Sequence, residues 1–169
     1  TQSNTLLSMA LAMKLGLAPT HFWLPEVLQG STMATALVIS TWQKLAPLTL
    51  LYMTANNLPP TLLLTLGALS TLVGGWGGLN QTQLRKIMAF SSVAHLGWIM
   101  TISFLLTSIM TLNLIIYIIM TTAMFSTLIL SNLKTIKDTT TLSTTSPTHA
   151  ALMALALLSL GGLPPLSGF

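Results

Sequence analysis

Met13-Lys14-Leu15-Gly16-Leu17-Ala18-Pro19-Thr20-His21-Phe22-Trp23-Leu24-Pro25-Glu26 is the stretch on which the fold turns. An ammonium group, Lys14, stands in apolar sequence just ahead of a glycine and a proline. Pro19 has no N–H for the carbonyl of Leu15, and its ring crowds that carbonyl, so the helix carrying Lys14 is expected to break within the next turn. The break leaves bare carbonyls beside a charge. In hydrocarbon such a defect persists only where it is buried in protein or lines water, so a broken helix bearing a lysine reads as a transport element. Pro25 and Glu26 then read as the start of the next helical piece. There a proline in the first turn costs no hydrogen bond, and a carboxylate meets the positive end of the helix dipole.

The rest of the chain is the apolar setting that makes this break costly. Of the 169 residues 52% are apolar and 5% charged, with a mean hydropathy of +0.80. The apolar runs exceed what a soluble core needs, and the fold class is all-α, a polytopic transmembrane helix bundle. Six basic residues against two acidic give a net charge of +4, too scattered for a nucleic-acid surface and better taken as a topology signal. Cysteine is absent, which excludes disulfides, thiol chemistry and cysteine-held iron–sulfur clusters. The chain has no initiator methionine, basic leader or cleavage site, and it opens and closes inside hydrophobic motifs. The expectation is a single membrane domain over 1–169, the interior of a longer protein truncated at both ends.

Residues 5–18 form the first helix, and Gly30 and Ser31 mark the next turn. From 32 to about 55 an apolar run long enough to cross carries Lys44 near its middle, and Pro47 frees the carbonyl of Gln43 beside it. After a turn at 56–60, residues 61–79 cross without a charge. They end in Gly74-Gly75-Trp76-Gly77-Gly78, which permits close helix packing. Arg85 and Lys86 open the next helix, which runs to about residue 105 with His95 near mid-depth, and 109–130 cross again. Lys134, Lys137 and Asp138 lie in a Thr/Ser-rich connection ending at Pro147. The last apolar run, 150–160, breaks at 161–165. Crossings so counted place the Arg85/Lys86 and Lys134/Lys137 loops on one side, and the positive-inside rule turns that side inward. Leu15-Gly16-x-x-Pro19 recurs as Leu160-Gly161-x-x-Pro164, and paired breaks of this kind point to a repeat-built transporter with its site at mid-membrane.

Lys14 and Lys44 are the strongest functional candidates. A lysine in mid-helix costs about 2.5 to 3.5 kcal/mol to insert, and snorkelling relieves that only near a helix end. Burial disfavours the charged form of an amine, so a buried lysine can bind and release a proton. Two such sites roughly 10 Å apart at an effective dielectric near 20 repel by about 1.7 kcal/mol, enough to pass a signal between neighbours. His95 has Ser91 and Ser92 on its own helix face and together they can hold a water file; the alternative is a satisfied interior histidine bonding a neighbouring helix, and the rarity of intramembrane histidine favours the relay. No second histidine or carboxylate stands at metal-ligand spacing from it. Arg85 and Lys86 are topology anchors before they are relay groups. Glu26 either caps its helix, pairs with a lysine, or lines a proton entrance with His21. His149 reads as an interface residue, and the ridge Asn113, Tyr117, Thr121 reads as interhelical glue.

Four motifs carry a family resemblance. They are residues 13–26, Trp42-Gln43-Lys44-Leu45-Ala46-Pro47, the Gly77-Gly78-Leu79-Asn80-Gln81-Thr82-Gln83-Leu84-Arg85-Lys86 run, and 158–169. With Ser91 to His95 they resemble the antiporter-like membrane subunits of mitochondrial NADH:ubiquinone oxidoreductase, respiratory complex I. The resemblance implies a membrane-arm subunit of the inner mitochondrial membrane that helps couple quinone reduction to proton pumping. It would put Lys14, Lys44 and His95 on a hydrated axis. The residues' own reading has Pro19, Pro47, Ser91, Ser92, Glu26 and Lys86 supporting them. The resemblance implies no cofactor in this chain, with flavin and iron–sulfur clusters held by other subunits. The partners it implies are other membrane subunits, the bilayer, protons and water, and not nucleic acid. A cation/proton antiporter subunit of the same fold is the alternative, and a membrane scaffold without a pathway is the third class. The family's acidic residue in an earlier helix and its lysine past the second break are not within 1–169.

Overall fold

The computed structural model describes residues 2–103 and 107–161. The helices are α1 (Gln2–Leu15), α2 (Trp23–Gly30), α3 (Met33–Thr54), α4 (Pro60–Leu79), α5 (Leu84–Ser103), α6 (Thr107–Ser131), α7 (Ile136–Thr145) and α8 (Pro147–Leu160). Pro60–Leu79 and Ser108–Ser131 are long and apolar enough to cross a membrane by composition alone. α3 and α5, of similar length, carry Lys44 and His95.

α1 and α2 make one interrupted crossing. The Asn4 side-chain amide donates to the Asn57 carbonyl at 2.8 Å, tying the start of α1 to the α3–α4 turn. At the far end the Arg85 guanidinium donates to the carbonyls of Gln29 and Ser31, where α2 finishes and the chain turns into α3. The Leu84 amide donates to Lys134 at 3.2 Å and the Ile136 amide to Thr82 at 3.1 Å, a short antiparallel bridge that locks the two basic loops together on that face. α8 enters from the same face, and its last residue, Leu160, lies against the His95 ring. The Leu15-Gly16 and Leu160-Gly161 pairs therefore end helices that reach mid-bundle from opposite faces, the relation expected of inverted repeats. The rest of the second break, 162–165, the motif portion to 169 and the expected end of the fifth helix near 105 lie outside the described residues.

Four expectations need correction. α1 stops at Leu15, three residues short, because Gly16 takes φ +78° and ends the helix ahead of Pro19. The Leu17 amide reaches the Ala12 carbonyl at 3.0 Å and the Gly16 amide the Met13 carbonyl at 3.2 Å, the Schellman pattern that a left-handed glycine permits. The Trp23 indole also donates to Met13 at 3.2 Å, so the carbonyls of Ala12 and Met13 are not bare. The connection after Lys134 contains a helix, α7, because Asp138 accepts from the amides of Thr135 at 2.9 Å and Lys134 at 3.2 Å, the acidic half of a capping box. α8 starts at Pro147, a favoured first-turn position, rather than at 150. Of the glycines in 74–78, Gly74 and Gly77 meet α5, whereas Gly75 faces open space. The tightest approach also involves Gly67 and Gly97: a Cβ on Gly67 would stand 2.9 Å from the Gly97 carbonyl oxygen, and one on Gly74 2.7 Å from the Ala94 amide nitrogen.

Packing divides the bundle into two apolar clusters. One holds Leu11, Leu15, Leu48, Leu51, Leu96, Ile99 and Met110, and the other Leu24, Leu28, Met88, Val93, Met124, Phe125 and Leu128. In α3 the buried polar residues Ser40, Thr41 and Lys44 fall between the portions contributed to the two clusters, and so does Thr121 in α6. Ser92 and His95 sit at the same boundary in α5. A polar layer thus crosses the middle of the bundle, where hydrocarbon supplies no alternative partner.

Candidate functional site

Lys44 is the centre of that layer. α3 runs unbroken through Pro47, and this places the ammonium inside the bundle at 4% exposure. Its Nζ donates to the Tyr117 hydroxyl at 3.1 Å, and that hydroxyl donates to the Ser40 carbonyl at 3.1 Å, one turn before Lys44 in the same helix. The Ser92 hydroxyl lies near the Tyr117 hydroxyl, while donating to its own Ala89 carbonyl at 2.7 Å. On the other side of the phenol the His95 and Tyr117 rings lie 5.8 Å apart by centroid and tilted by 49°. Lys44 and His95 are close enough to interact electrostatically. Three helices, α3, α5 and α6, thus meet at one phenol.

Two open cavities flank this junction. One, of about 800 Å³, is lined by Lys14, Trp23, Ile39, Gln43, Lys44 and Pro47. The other, of about 750 Å³, is lined by Ser91, His95, Asn113, Tyr117, Leu160 and Gly161. Each has polar lining groups and far more room than the roughly 15 Å³ that one water needs. The Lys44–Tyr117 hydrogen bond joins the lining of the first cavity to that of the second.

The candidate residues separate accordingly. Lys14 is exposed on the first cavity, so the expectation of a buried amine holds for Lys44 and fails for Lys14 in this chain. Lys14 lies in the last turn of α1, where the dipole's negative end favours a cation, and the turn is ended by Gly16. Pro47 is buried beside Lys44 on the cavity wall, and Pro19 is exposed in the break. Ser91 lines the His95 cavity, whereas Ser92 turns to Tyr117. Glu26 is exposed in the first turn of α2. His21 is buried at 5% exposure between Phe22 and Phe90, with its Nδ1 unpartnered. Arg85 caps the end of α2, and Lys86 lies half-buried at the start of α5. Among the described residues no group of three or more histidine, cysteine or acidic side chains is placed to hold a metal.

Tyr117 and Ser40 were the residues least visible in the sequence. Ser40 stands four before Lys44, a same-face spacing that marks it in retrospect. Tyr117 gave only its place on the Asn113–Thr121 ridge, and its partner is 73 positions away.

The comparisons with known proteins bear on family and fold. The model of the family described as NADH:quinone oxidoreductase/Mrp antiporter, TM, matches residues 1–169. Proteins named NADH-ubiquinone oxidoreductase chain 2 are similar throughout. That of Salmo salar is 60% identical over 167 residues, covering 99% of this chain and 48% of its own. That of Varanus timorensis is 59% identical over 169 residues, covering 100% and 49%. The chain spans about half the length of these curated relatives. Among solved structures, respiratory complex I from Thermus thermophilus with bound Aureothin contains a chain that superposes with a TM-score of 0.86 at 34% identity, over 99% of this chain and 39% of that one. The Mrp complex from Dietzia sp. DQ12-45-1b gives 0.85 at 21% identity, over 99% and 34%, a likeness of fold alone. Matched from its first residue to its last, this membrane chain belongs to the NADH:quinone oxidoreductase/Mrp antiporter transmembrane family.

Proposed function

We propose that the chain is part of a core membrane-arm subunit of NADH:ubiquinone oxidoreductase in the mitochondrial inner membrane, where it contributes to proton translocation coupled to electron transfer from NADH to ubiquinone. The observation that carries this is Lys44, an amine buried in a polar layer and hydrogen-bonded to Tyr117, with a cavity to either side. The names of the relatives at 59–60% identity support the complex I assignment. The antiporter alternative shares the family description and a likeness of fold at 21% identity, and none of the relatives at 59–60% identity bears an antiporter name.

Lys44 holds a proton as an ammonium and passes it on when its surroundings change. Charge on Lys14, across the shared cavity, raises the cost of keeping Lys44 charged, because like charges repel more strongly away from bulk water. His95 and the Ser91 hydroxyl receive on the far side. The protein's partners in this reading are the other complex I membrane subunits, the bilayer, water and protons. Electron transfer takes place on flavin and iron–sulfur groups in those other subunits, and this chain contributes no cofactor ligand.

The test is Lys44→Met in the full-length subunit of the intact complex, reconstituted in vesicles with NADH and quinone. Proton uptake into the vesicles is expected to fall by about tenfold or more, a floor set below the roughly hundredfold or greater contribution typical of one positioned proton-transfer group. Unchanged uptake would leave the scaffold class standing.

A further inference from the structure

The two cavities meet at one side chain that neither the sequence motifs nor the family match assigns a role, and its bonding depends on the protonation of its neighbour. With Lys44 as an ammonium, all its Nζ hydrogens donate, so the Tyr117 oxygen must accept and its single hydrogen goes to the Ser40 carbonyl, the arrangement observed. With Lys44 neutral, the amine gains a lone pair, and the phenol hydrogen can turn to it instead. The Ser92 hydroxyl and the His95 ring offer a third direction, into the other cavity. The phenol is buried at 3% exposure with its oxygen held between Lys44 and Ser40, so its one hydrogen goes to one of these acceptors at a time.

We propose that the Tyr117 hydroxyl is the proton bridge and gate between the Lys14–Lys44 cavity and the His95 cavity. This rests on the pumping role given above. In the described state the phenol hydrogen is parked on Ser40 and the path is closed. Transfer requires that hydrogen to rotate toward the His95 side. The Lys44 N–H bond then breaks as an O–H bond forms on Tyr117, while the original Tyr117 O–H bond breaks and its proton passes to an imidazole nitrogen of His95, directly or through cavity water. One positive charge leaves Lys44 and one appears on His95, with no electron moved. Rotation of the new O–H back to the Ser40 carbonyl resets the gate.

The experiment compares Tyr117→Phe, Ser92→Ala and Lys44→Met with the unaltered protein in the intact complex in vesicles, scoring proton uptake per assembled complex. Phenylalanine keeps the ring against His95 and removes only the oxygen, so a packing defect lowers the amount assembled rather than the rate per complex. The bridge predicts that Tyr117→Phe lowers uptake about tenfold, as Lys44→Met does, with the solvent deuterium effect of the unaltered pump changed. Should Tyr117→Phe not assemble, Ser92→Ala decides, since it leaves the phenol in place and is expected to slow uptake at least about twofold, a small part of a general acid–base contribution. A fall with Lys44→Met alone, while both other variants match the unaltered rate, overturns the bridge and leaves the pumping role intact. Unaltered uptake in Lys44→Met removes the pumping role and the bridge with it.

Discussion

Lys14 and Lys44 are the same residue in two different settings, and the contrast shows how a helical membrane bundle accommodates charge. Lys14 is handled locally: it sits in the last turn of α1, ahead of a left-handed glycine, beside carbonyls capped by Gly16, Leu17 and Trp23, with its side chain in an open cavity. Lys44 is handled at long range. Its helix does not break, and its partner is a tyrosine from another helix, itself held by the carbonyl of Ser40. A charge at a helix end needs only the end, whereas a charge in mid-helix needs the whole bundle to be folded around it.

The largest expected consequence is a difference in how arginine is tolerated. Lys44→Arg should be as damaging to pumping as Lys44→Met, about tenfold or more, because a guanidinium does not release its proton. Lys14→Arg should do less harm than Lys14→Met, since there the charge itself interacts with the helix end and the cavity. Equal tolerance of arginine at both positions would dissolve the contrast. It is measured as proton uptake per assembled complex.

Next in size is the break itself. Gly16→Ala forces a side chain into φ +78°, at a cost of roughly 1 to 2 kcal/mol. Thermal unfolding of the complex should begin at α1 and α2, and hydrogen exchange should rise at the Gly16 and Leu17 amides, with the α3 amides around Lys44 unaffected. An accessibility comparison follows. An amine-reactive reagent of small size should label Lys14 and spare Lys44 in the folded protein, and equal labelling would show that Lys44 is not enclosed.

The smallest effect lies outside the layer, at the start of α7. The backbone amides of Thr135 and Lys134 hold the Asp138 carboxyl below its ordinary value. A folded value lower than the unfolded one means the contribution is present above the unfolded value and lost as pH falls through the folded one. Hydrogen exchange at the first turn of α7 should therefore rise on acidification below about pH 4, and Asp138→Asn should show that loss already at neutral pH. Neither change should reach Lys44.

Much of this was legible in the sequence because membrane helices announce themselves by length and composition, and because Lys44 and His95 lie in apolar runs where polarity is costly. The interrupted helix at 13–26 is legible for the same reason, although Pro19 points to an end at Ala18 and the left-handed Gly16 ends it earlier. The capping box Thr135-Ile136-Lys137-Asp138 is plain in the sequence, but its polar, Thr/Ser-rich setting hides the helix it starts. Tyr117 was beyond local patterns. Nothing within α6 distinguishes a tyrosine that glues helices from one that bonds a lysine 73 residues earlier, since that depends on how α3 and α6 are brought together.

The most direct measurement is a map of the intact complex in its membrane at a resolution that shows ordered water around Lys44. The account predicts the Lys44 amine within hydrogen-bonding distance of the Tyr117 hydroxyl, with water ordered in both the Lys14 cavity and the His95 cavity. An amine turned toward lipid headgroups, with dry side chains filling both spaces, would contradict it.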